Sequence, residues 1–300
     1  GEIRPGDHIM FMSNRTRYKV EEEGQFQLKR IPRKKLSAGE VGYVIAGVKT
    51  VSDTSVGDTI TNVDNPSPSP LPGFREVLPV VFSSIDPIST DDYEDLAAAL
   101  DKLKLNDAAL SYQKDTSAAL GFGFRCGFLG LLHLEVVQER LEREFDISLI
   151  LTVPSVRYIF YLQDDAVLEV DNPAHFPDPA SIDHIEEPFI KATIHIPDRY
   201  MGVVMNLCME RRGENTHYHY PMPGRIEFTC ELPLSEVIYD FYDRLKSITQ
   251  GYGSFDYELT DYRQSDLVKL DILVNGESVD ALSQLVHKDR ARERGLRACE

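Results

Sequence analysis

The chain has 300 residues and a mass of 34.0 kDa, and at roughly 100–150 residues per domain this length predicts two or three domains. Its composition, with 42% hydrophobic and 27% charged residues, is close to the globular average and excludes global disorder. Because the formal net charge is −17, the chain as a whole is repelled by phosphate backbones, and any nucleic-acid binding must rest on local basic patches. No apolar run approaches the roughly 18 residues of a membrane span.

The cysteine pattern excludes a zinc ribbon and a redox pair, because Cys126, Cys208, Cys230 and Cys299 are far apart and form no C-x-x-C motif. A secreted disulfide framework is not expected at this size, and reduced thiols in a cytosolic protein fit better. The chain starts at Gly1 without an initiator methionine or a signal peptide. We therefore expect it to be a piece of a longer protein.

The first 60 residues are dense in strand signals. Short apolar runs punctuated by Gly and Asp occur in GEIRPGDHIMFM, at Val41 to Thr50 and at Val56 to Ile60. This pattern is typical of a small β-barrel, which about 60 residues would leave incomplete. Four prolines in Asn65 to Gly73 then predict an extended linker and the first domain boundary.

The next segment predicts the order β-α-β-β-α-β. A buried strand in LPVVFSSIDP precedes a helix capped by Thr90, strands follow at Ala109 to Asp115 and Gly121 to Arg125, and a second helix leads to a strand at Ile147 to Val153. The apolar helix faces carry Leu96, Leu100, Leu103, Leu134, Val137, Leu141 and Phe145. This order is the split-βαβ or ferredoxin-like arrangement.

The same order returns after a connection rich in Pro and Asp, from about Ser155 to Glu187. A strand at Phe189 to Ile196 leads to a helix from about Asp198 to Arg212, for which Gly213 is the expected left-handed C′ residue. Two strands, THYHYP and RIEFTCEL, precede a helix capped by Ser235, and SFDYELTD is the last strand. The fold class is therefore α+β, with a partial β-barrel followed by two ferredoxin-like domains, and a basic, helix-prone tail begins near Gln284.

Several catalytic and ligand motifs are absent from the sequence. It contains no GxxxxGK[ST] phosphate loop, no GxSxG, no HExxH and no EF-hand loop. His217 and His219 alternate along a strand, but without a third ligand nearby a metal pair is disfavoured. No metal site is predicted.

The glycine-rich segment GFGFRCGFLG allows two interpretations. A helix N-terminus could hold a phosphate there with help from Arg125. Alternatively, the glycines shape a bulged strand while Phe122, Phe124 and Phe128 pack inward, and this second interpretation is favoured.

The densest basic patch is LKRIPRKK, from Leu28 to Lys35. Its five cations are Lys29, Arg30, Arg33, Lys34 and Lys35. This loop either contacts phosphates or is a solvated barrel loop, and the sequence does not choose between the two. Arg211 and Arg212 are further RNA-binding candidates, although a helix C-terminus favours cations in any case.

Long segments resemble a known family. LKLNDAAL, GFGFRCGFLGLLHLEVVQERLEREF and ISLILTVPSVRY are similar to the third domain of the elongation factor 4 family of translational GTPases. The segments IEEPFIKATIHIPDRYMGVVMNLCMERRG and FTCELPLSEVIYDFYDRLKSITQGYGSFDYE resemble its fifth domain, and YRQSDLVKLDILVNGESVDALS resembles the start of its C-terminal domain. The likeness covers nearly the whole chain. Elongation factor G inserts a further domain where this chain has a connection of about 30 residues, which favours factor 4.

The resemblance implies the domain organisation. Residues 1–72 would be the end of β-barrel domain II, 77–160 the ferredoxin-like domain III, 161–185 a connection, 186–265 the ferredoxin-like domain V, and 266–300 the start of the C-terminal domain. The family's GTP-binding domain, with its GTP and magnesium, would precede Gly1. No cofactor is expected in the chain itself.

The function that the resemblance implies is ribosome binding by a translation factor. The family is held to move tRNAs backward by one step, or to remodel stalled complexes, and its partners would be rRNA, ribosomal proteins and tRNA. Its location would be cytoplasmic, with scope for peripheral association with the cytoplasmic face of a membrane. The alternative is a regulatory module that binds small ligands through paired ferredoxin-like domains, whereas a stand-alone enzyme is disfavoured because no catalytic constellation is found.

Overall fold

The computed structural model describes residues 1–49, 53–54, 57–72, 78–107 and 109–299. Its contacts divide the chain into two compact units. One comprises Gly1–Leu78 with Leu105–Ala108, and the other comprises Pro79–Lys104 with Ala109–Glu300.

The first unit contains short antiparallel strands. They are β1 (Glu2–Ile3), β2 (His8–Phe11), β3 (Arg17–Lys19), β4 (Glu22–Phe26), β5 (Arg30–Pro32), β6 (Leu36–Ser37), β7 (Tyr43–Ile45) and β8 (Ile60–Asn62). They form the sheets β1-β6, β3-β2-β8 and β5-β4-β7, and Ile9, Phe11 and Val20 are buried. The predicted strands at Val41 to Thr50 and Val56 to Ile60 correspond in part to β7 and β8, while Thr50 and Val56 lie outside the described residues.

The proline-rich segment after β8 is anchored by hydrogen bonds. The amide of Ser67 donates to Thr61 Oγ1 at 2.7 Å, and the amide of Leu71 donates to Thr59 Oγ1 at 2.9 Å. Prolines cannot donate such bonds themselves, so the non-proline residues between them carry the contacts. Gly73, the predicted end of this linker, lies outside the described residues.

The second unit begins with a βαββαβ motif. Its elements are β9 (Val81–Pro87), α1 (Tyr93–Lys104), β10 (Ser111–Ser117), β11 (Gly121–Phe128), α2 (Leu131–Phe145) and β12 (Leu149–Leu151). The sheet order is β10-β11-β9-β12, with all neighbours antiparallel. The predicted helix residues Leu96, Leu100, Leu103, Leu134, Val137 and Leu141 are buried in the core.

Two local predictions for this motif were wrong. The capping residue before α1 is Ser89, whose hydroxyl oxygen accepts a hydrogen bond from the amide of Asp91. Thr90 already lies inside the 3-10 turn that leads into α1. The glycine-rich segment forms a regular strand whose register is continuous with both neighbours, so it carries no bulge. Phe124 and Phe128 pack inward as expected, but Phe122 is 65% exposed.

The connection between the two motifs is more ordered than predicted. It contains the hairpin of β13 (Tyr158–Leu162) and β14 (Val167–Val170), turned at Asp165 with φ of 63°. The following strand, β15 (Ile182–Pro197), begins earlier than expected, and its first residues pair with β13. The connection therefore adds two strands to the edge of the second sheet.

The second βαββαβ motif shares β15 with this hairpin. It continues through α3 (Met201–Glu210), β16 (Glu214–Met222), β17 (Arg225–Pro233), α4 (Leu234–Val237), α5 (Phe241–Ile248) and β18 (Ser254–Gln264). The order is β16-β17-β15-β18, which repeats the strand order of the first motif. The helix predicted from Ser235 is two helices, because the chain turns between Ile238 and Asp240.

The predicted role of Gly213 was also wrong. The left-handed residue after α3 is Arg212, with φ of 59°, and the amides of Arg212 and Gly213 donate to the carbonyls of Met209 and Cys208. This is a Schellman motif in which Gly213 takes the position after C′. A Cβ on Gly213 would lie 2.6 Å from the carbonyl oxygen of Cys208, so glycine is required there for space.

The last part of the second unit contains β19 (Leu267–Leu270), β20 (Leu273–Val274), β21 (Glu277–Ser278), β22 (Gln284–His287) and α6 (Ala291–Cys299). β19 pairs with β22, and β20 pairs with β21. The predicted helix-prone tail therefore begins as strand β22, and it is helical only after His287, first in a 3-10 turn at Lys288–Arg290 and then in α6.

Candidate RNA-binding surface

The densest basic patch lies on the β4–β5 hairpin and on the segment just after β5, which carries Arg33, Lys34 and Lys35. Phe26 pairs with Arg30 in the last register position, so the turn consists of Gln27, Leu28 and Lys29. The Leu28 side chain is fully exposed, and the Phe26 side chain is two-thirds exposed. The centres of the Phe26 and Tyr43 rings lie 5.1 Å apart. Exposed apolar and aromatic groups thus sit beside cations, a combination that nucleic-acid surfaces use.

The five predicted cations of this patch are all exposed. Lys35 lies 3.3 Å from Glu2, which is itself largely exposed. Across the described residues, no ion pair is found for Lys29, Arg30, Arg33 or Lys34. Charges without a protein partner have not been neutralised within the fold and are free to meet phosphates. The geometry therefore favours phosphate contact at this hairpin, which remains a prediction.

Arg125, the candidate for holding a phosphate at a helix N-terminus, does not serve that role, so the interpretation that the sequence disfavoured is wrong. It lies on β11 with 4% exposure, and its guanidinium donates to Ser155 Oγ at 2.6 Å, to Ser84 Oγ at 3.3 Å and to the carbonyl of Asp171. Burial lowers the pKa of Arg125, and the nearby carboxylates of Asp171 and Asp115 oppose this. Its donors are used inside the protein, so it crosslinks strands instead of holding an external phosphate.

Arg211 and Arg212 are likewise not a surface patch. Arg211 is 4% exposed and contacts Asp240 and Glu236, while Arg212 forms a two-pronged pair with Glu187 at 2.6 and 3.1 Å. Burial lowers the pKa of Arg212, but the hydrogen bonds and charge of Glu187, followed by Glu236, outweigh it and raise that pKa. The geometry therefore argues against phosphate contacts by these two arginines.

Glu187 explains why the Arg212 side chain turns into the fold. Its carboxylate is fully buried on β15 and also accepts a hydrogen bond from Ser235 Oγ at 2.7 Å. A buried carboxylate needs cationic or hydrogen-bonding partners, and Arg212 and Ser235 provide them. The Ser235 hydroxyl that was expected to cap a helix is used for this purpose.

The histidines of β16 are exposed on an edge strand. His219 Nδ1 lies 3.8 Å from Glu227, and His195 Nδ1 lies 3.7 Å from the other oxygen of the same carboxylate. Within the described part of the chain, no group of three or more His, Cys, Asp or Glu side chains is arranged to hold a metal ion.

A second aromatic and cationic cluster was missed from the sequence. The Arg199 guanidinium lies 4.8 Å from the Tyr200 ring centre and 5.5 Å from that of Tyr252, which is 56% exposed. Tyr200 is tied to the neighbouring loop through Gln250 at 3.1 Å. The available signals were the Arg-Tyr pair just before α3 and the Gly-Tyr-Gly turn before β18, and such clusters can stack on bases.

Models of three translation-factor domains match successive parts of the chain. Elongation factor Tu domain 2 matches residues 1–61, elongation factor G domain III matches 78–153, and the elongation factor G C-terminus matches 184–273. The two βαββαβ motifs thus fall in separate matches, and the basic hairpin falls in the match to elongation factor Tu domain 2.

Relatives extend the match over the whole chain. Elongation factor 4 of Desulfotalea psychrophila is 73% identical over 300 residues, which are all of this chain and 50% of that protein. Over its whole length, the chain is similar to proteins of the elongation factor 4 family. The elongation factor 4 of Syntrophus aciditrophicus is 69% identical over the same coverage, so the chain spans about half the length of the curated relatives that it matches.

A solved structure supports the fold alone. A crystal structure of a protein from Thermus thermophilus aligns with a TM-score of 0.51 and 16% identity, covering 88% of this chain and 52% of that one. Among the described residues, no helix is both long and apolar enough to cross a bilayer.

Proposed function

We propose that this chain is the ribosome-binding part of an elongation factor 4, and that it contacts RNA phosphates through the β4–β5 hairpin. The observation that carries the contact site is the set of five exposed cations in a chain of charge −17, four of them without an ion pair in the described residues. Identity of 73% over the whole chain to an elongation factor 4 supports the translational role.

The domain assignments extend this proposal. The strands of residues 1–72 form the end of a β-barrel domain, and the two βαββαβ motifs are ferredoxin-like domains over residues 77–160 and 186–265. Residues 161–185 connect them, and 266–300 start a C-terminal domain. The repeated strand order of the two motifs supports the ferredoxin-like assignment.

The activity of the whole protein belongs to the same proposal. A GTPase would use GTP and magnesium bound outside this chain to move tRNAs backward on the ribosome, or to remodel stalled complexes. The partners are rRNA, ribosomal proteins and tRNA. The location is the cytoplasm, with peripheral contact to the membrane as a further hypothesis.

Co-sedimentation tests the proposal. The chain is expected to pellet with 70S ribosomes at low salt and to leave the pellet as salt rises, because counterion release weakens phosphate contacts. A small-ligand regulatory module would instead show a ligand-induced rise in melting temperature and no ribosome association. Absence from the ribosome pellet at low salt would refute the proposal.

A further inference from the structure

A cavity of about 240 Å³ in the second unit is lined mainly by arginines. Its arginines, contributed by α3, α5, α6 and the turn before α6, are Arg211, Arg244, Arg290, Arg294 and Arg297. Three carboxylates, Glu210, Glu236 and Glu293, complete the polar lining. We propose that this cavity binds a small phosphate-bearing anion, a function beyond the ribosome binding proposed above and independent of it.

The floor of the cavity is buried, and its arginines are held in ion pairs, among them Arg211 with Asp240. Glu236, with 7% of its side chain exposed, has three guanidinium groups around it, from Arg212 at 3.2 Å, Arg294 at 3.2 Å and Arg211 at 3.7 Å. Arg294 is held in place by the Tyr239 ring, whose centre lies 4.2 Å from its guanidinium carbon. Side chains fixed in this way lose little conformational freedom when an anion binds.

The rim is more exposed and consists of simple ion pairs. Arg290 and Arg297 each lie 2.7 Å from Glu293, and Arg244 lies 3.3 Å from Glu210. Arg290 and Arg244 have 30% and 40% of their side chains exposed. Their positions allow access from solvent, so an anion could replace a rim carboxylate or bridge two rim arginines.

The arginines that line the cavity have more hydrogen-bond donors than the carboxylates around them can accept, which favours the binding of an anion. The Arg211 guanidinium is already paired with Asp240 and Glu236 inside the fold. The four other arginines carry five N–H donors each, about 20 in all, while Glu210, Glu236, Glu293 and Asp240, which also pairs with Arg297, accept at most about 16 hydrogen bonds. Water or an anion can accept hydrogen bonds from the donors in excess at the exposed rim, and the planar guanidinium fork matches phosphate oxygens in two-pronged contacts. The cavity is several times larger than the roughly 30 Å³ of one water molecule, so it has room for a phosphate group.

Titration calorimetry of the whole chain with sodium pyrophosphate at constant ionic strength tests the inference. Arg290→Gln and Arg244→Gln should each weaken binding about tenfold, because each removes charge-assisted hydrogen bonds to the anion. Glu210→Gln removes a negative charge at the rim and should tighten binding. Arg143→Gln, which removes an exposed arginine of α2 paired with Glu139, is the matched control and should leave the affinity unchanged.

The outcomes separate a binding site from a purely structural cluster. A structural cluster would lower the melting temperature in the rim variants and give no pyrophosphate binding to the unmodified chain at millimolar concentration, which would overturn the inference. Equal affinities for all four variants would overturn it as well. If pyrophosphate binds as expected, a competition experiment identifies the source of the phosphate. Competition by a 5′-phosphorylated RNA oligonucleotide, but not by the same oligonucleotide with a 5′-hydroxyl, assigns the phosphate to an RNA end. If neither oligonucleotide competes, the ligand is a free anion.

Discussion

At the scale of single residues, burial decides whether a charged side chain is available to bind a partner. Arg211 and Arg212 look like a surface pair at the end of a helix, yet their partners Asp240, Glu236 and Glu187 lie 24 to 29 positions away in sequence. Local patterns carry no information about such distant pairing. The sequence indicated that these residues were cationic, but only the fold shows that they are already neutralised.

Gly213 offers a residue-scale test of the corrected end of α3. Gly213→Ala should destabilise the protein by about 1–3 kcal/mol, because the new Cβ would lie 2.6 Å from the carbonyl oxygen of Cys208. Gly202→Ala in the same helix meets open space and should be neutral or stabilising by up to about 1 kcal/mol. Chemical denaturation of both variants measures this, and equal stabilities would contradict the steric explanation.

Asp86 provides a test of pH dependence. Burial on β9, together with the charges of Asp115 and Asp280, raises its pKa from 3.8 to about 6, and its Oδ2 has no hydrogen-bond partner. Because the folded-state pKa is the higher one, the stabilising contribution of this carboxyl is complete below pH 3.8 and is lost as pH rises through about 6.

Asp86→Asn should therefore stabilise the protein at pH 8, by up to about 3 kcal/mol, and have little effect at pH 4. Asp146→Asn is the control, since this exposed residue has φ of 57°, which asparagine also adopts readily. Denaturant titrations at the two pH values measure the difference. A stabilisation that is the same at both pH values would show that Asp86 does not titrate in this range.

At the scale of elements, regular periodicity was the most reliable guide. The spacing of Leu96, Leu100 and Leu103 predicted one buried helix face, and all three are buried in the fold. The β13–β14 hairpin was missed because the high density of Pro and Asp in the connection outweighed a short apolar alternation around Tyr158 and Phe160. The break between α4 and α5 was missed because Ile238, Phe241 and Leu245 keep a helical spacing across it.

The ion pair of Glu187 with Arg212 ties strand β15 to the end of helix α3. Glu187→Gln should destabilise the second unit by about 3 kcal/mol, because it leaves a buried guanidinium with less compensation. Glu139→Gln, which breaks an exposed pair with Arg143 on α2, should cost no more than about 0.5 kcal/mol. Similar losses of melting temperature in both variants would contradict a structural role for the buried pair.

At the scale of the whole molecule, the negative net charge disfavours RNA binding, whereas one local patch of cations favours it. A chain of charge −17 can approach RNA only where cations are concentrated, and the β4–β5 hairpin with the segment that follows it carries five of them in exposed positions. The sequence located this patch but could not show its exposure or its lack of ion pairs. The fold places Lys29 in the hairpin turn, Arg30 at the start of β5, and Arg33, Lys34 and Lys35 in the segment after β5.

The most direct test of the account is the salt dependence of ribosome binding. Each neutralised phosphate contributes roughly 0.7 to 0.9 to the slope of log affinity against log salt. If three of the five cations contact phosphate, replacing Lys29, Arg30, Arg33, Lys34 and Lys35 by Ser should flatten the slope by about 2–3 without unfolding the protein. Replacing the exposed Lys102, Lys104 and Arg143 by Ser is the control and should leave the slope unchanged. An unchanged slope in the five-residue variant would contradict the hairpin as the RNA contact.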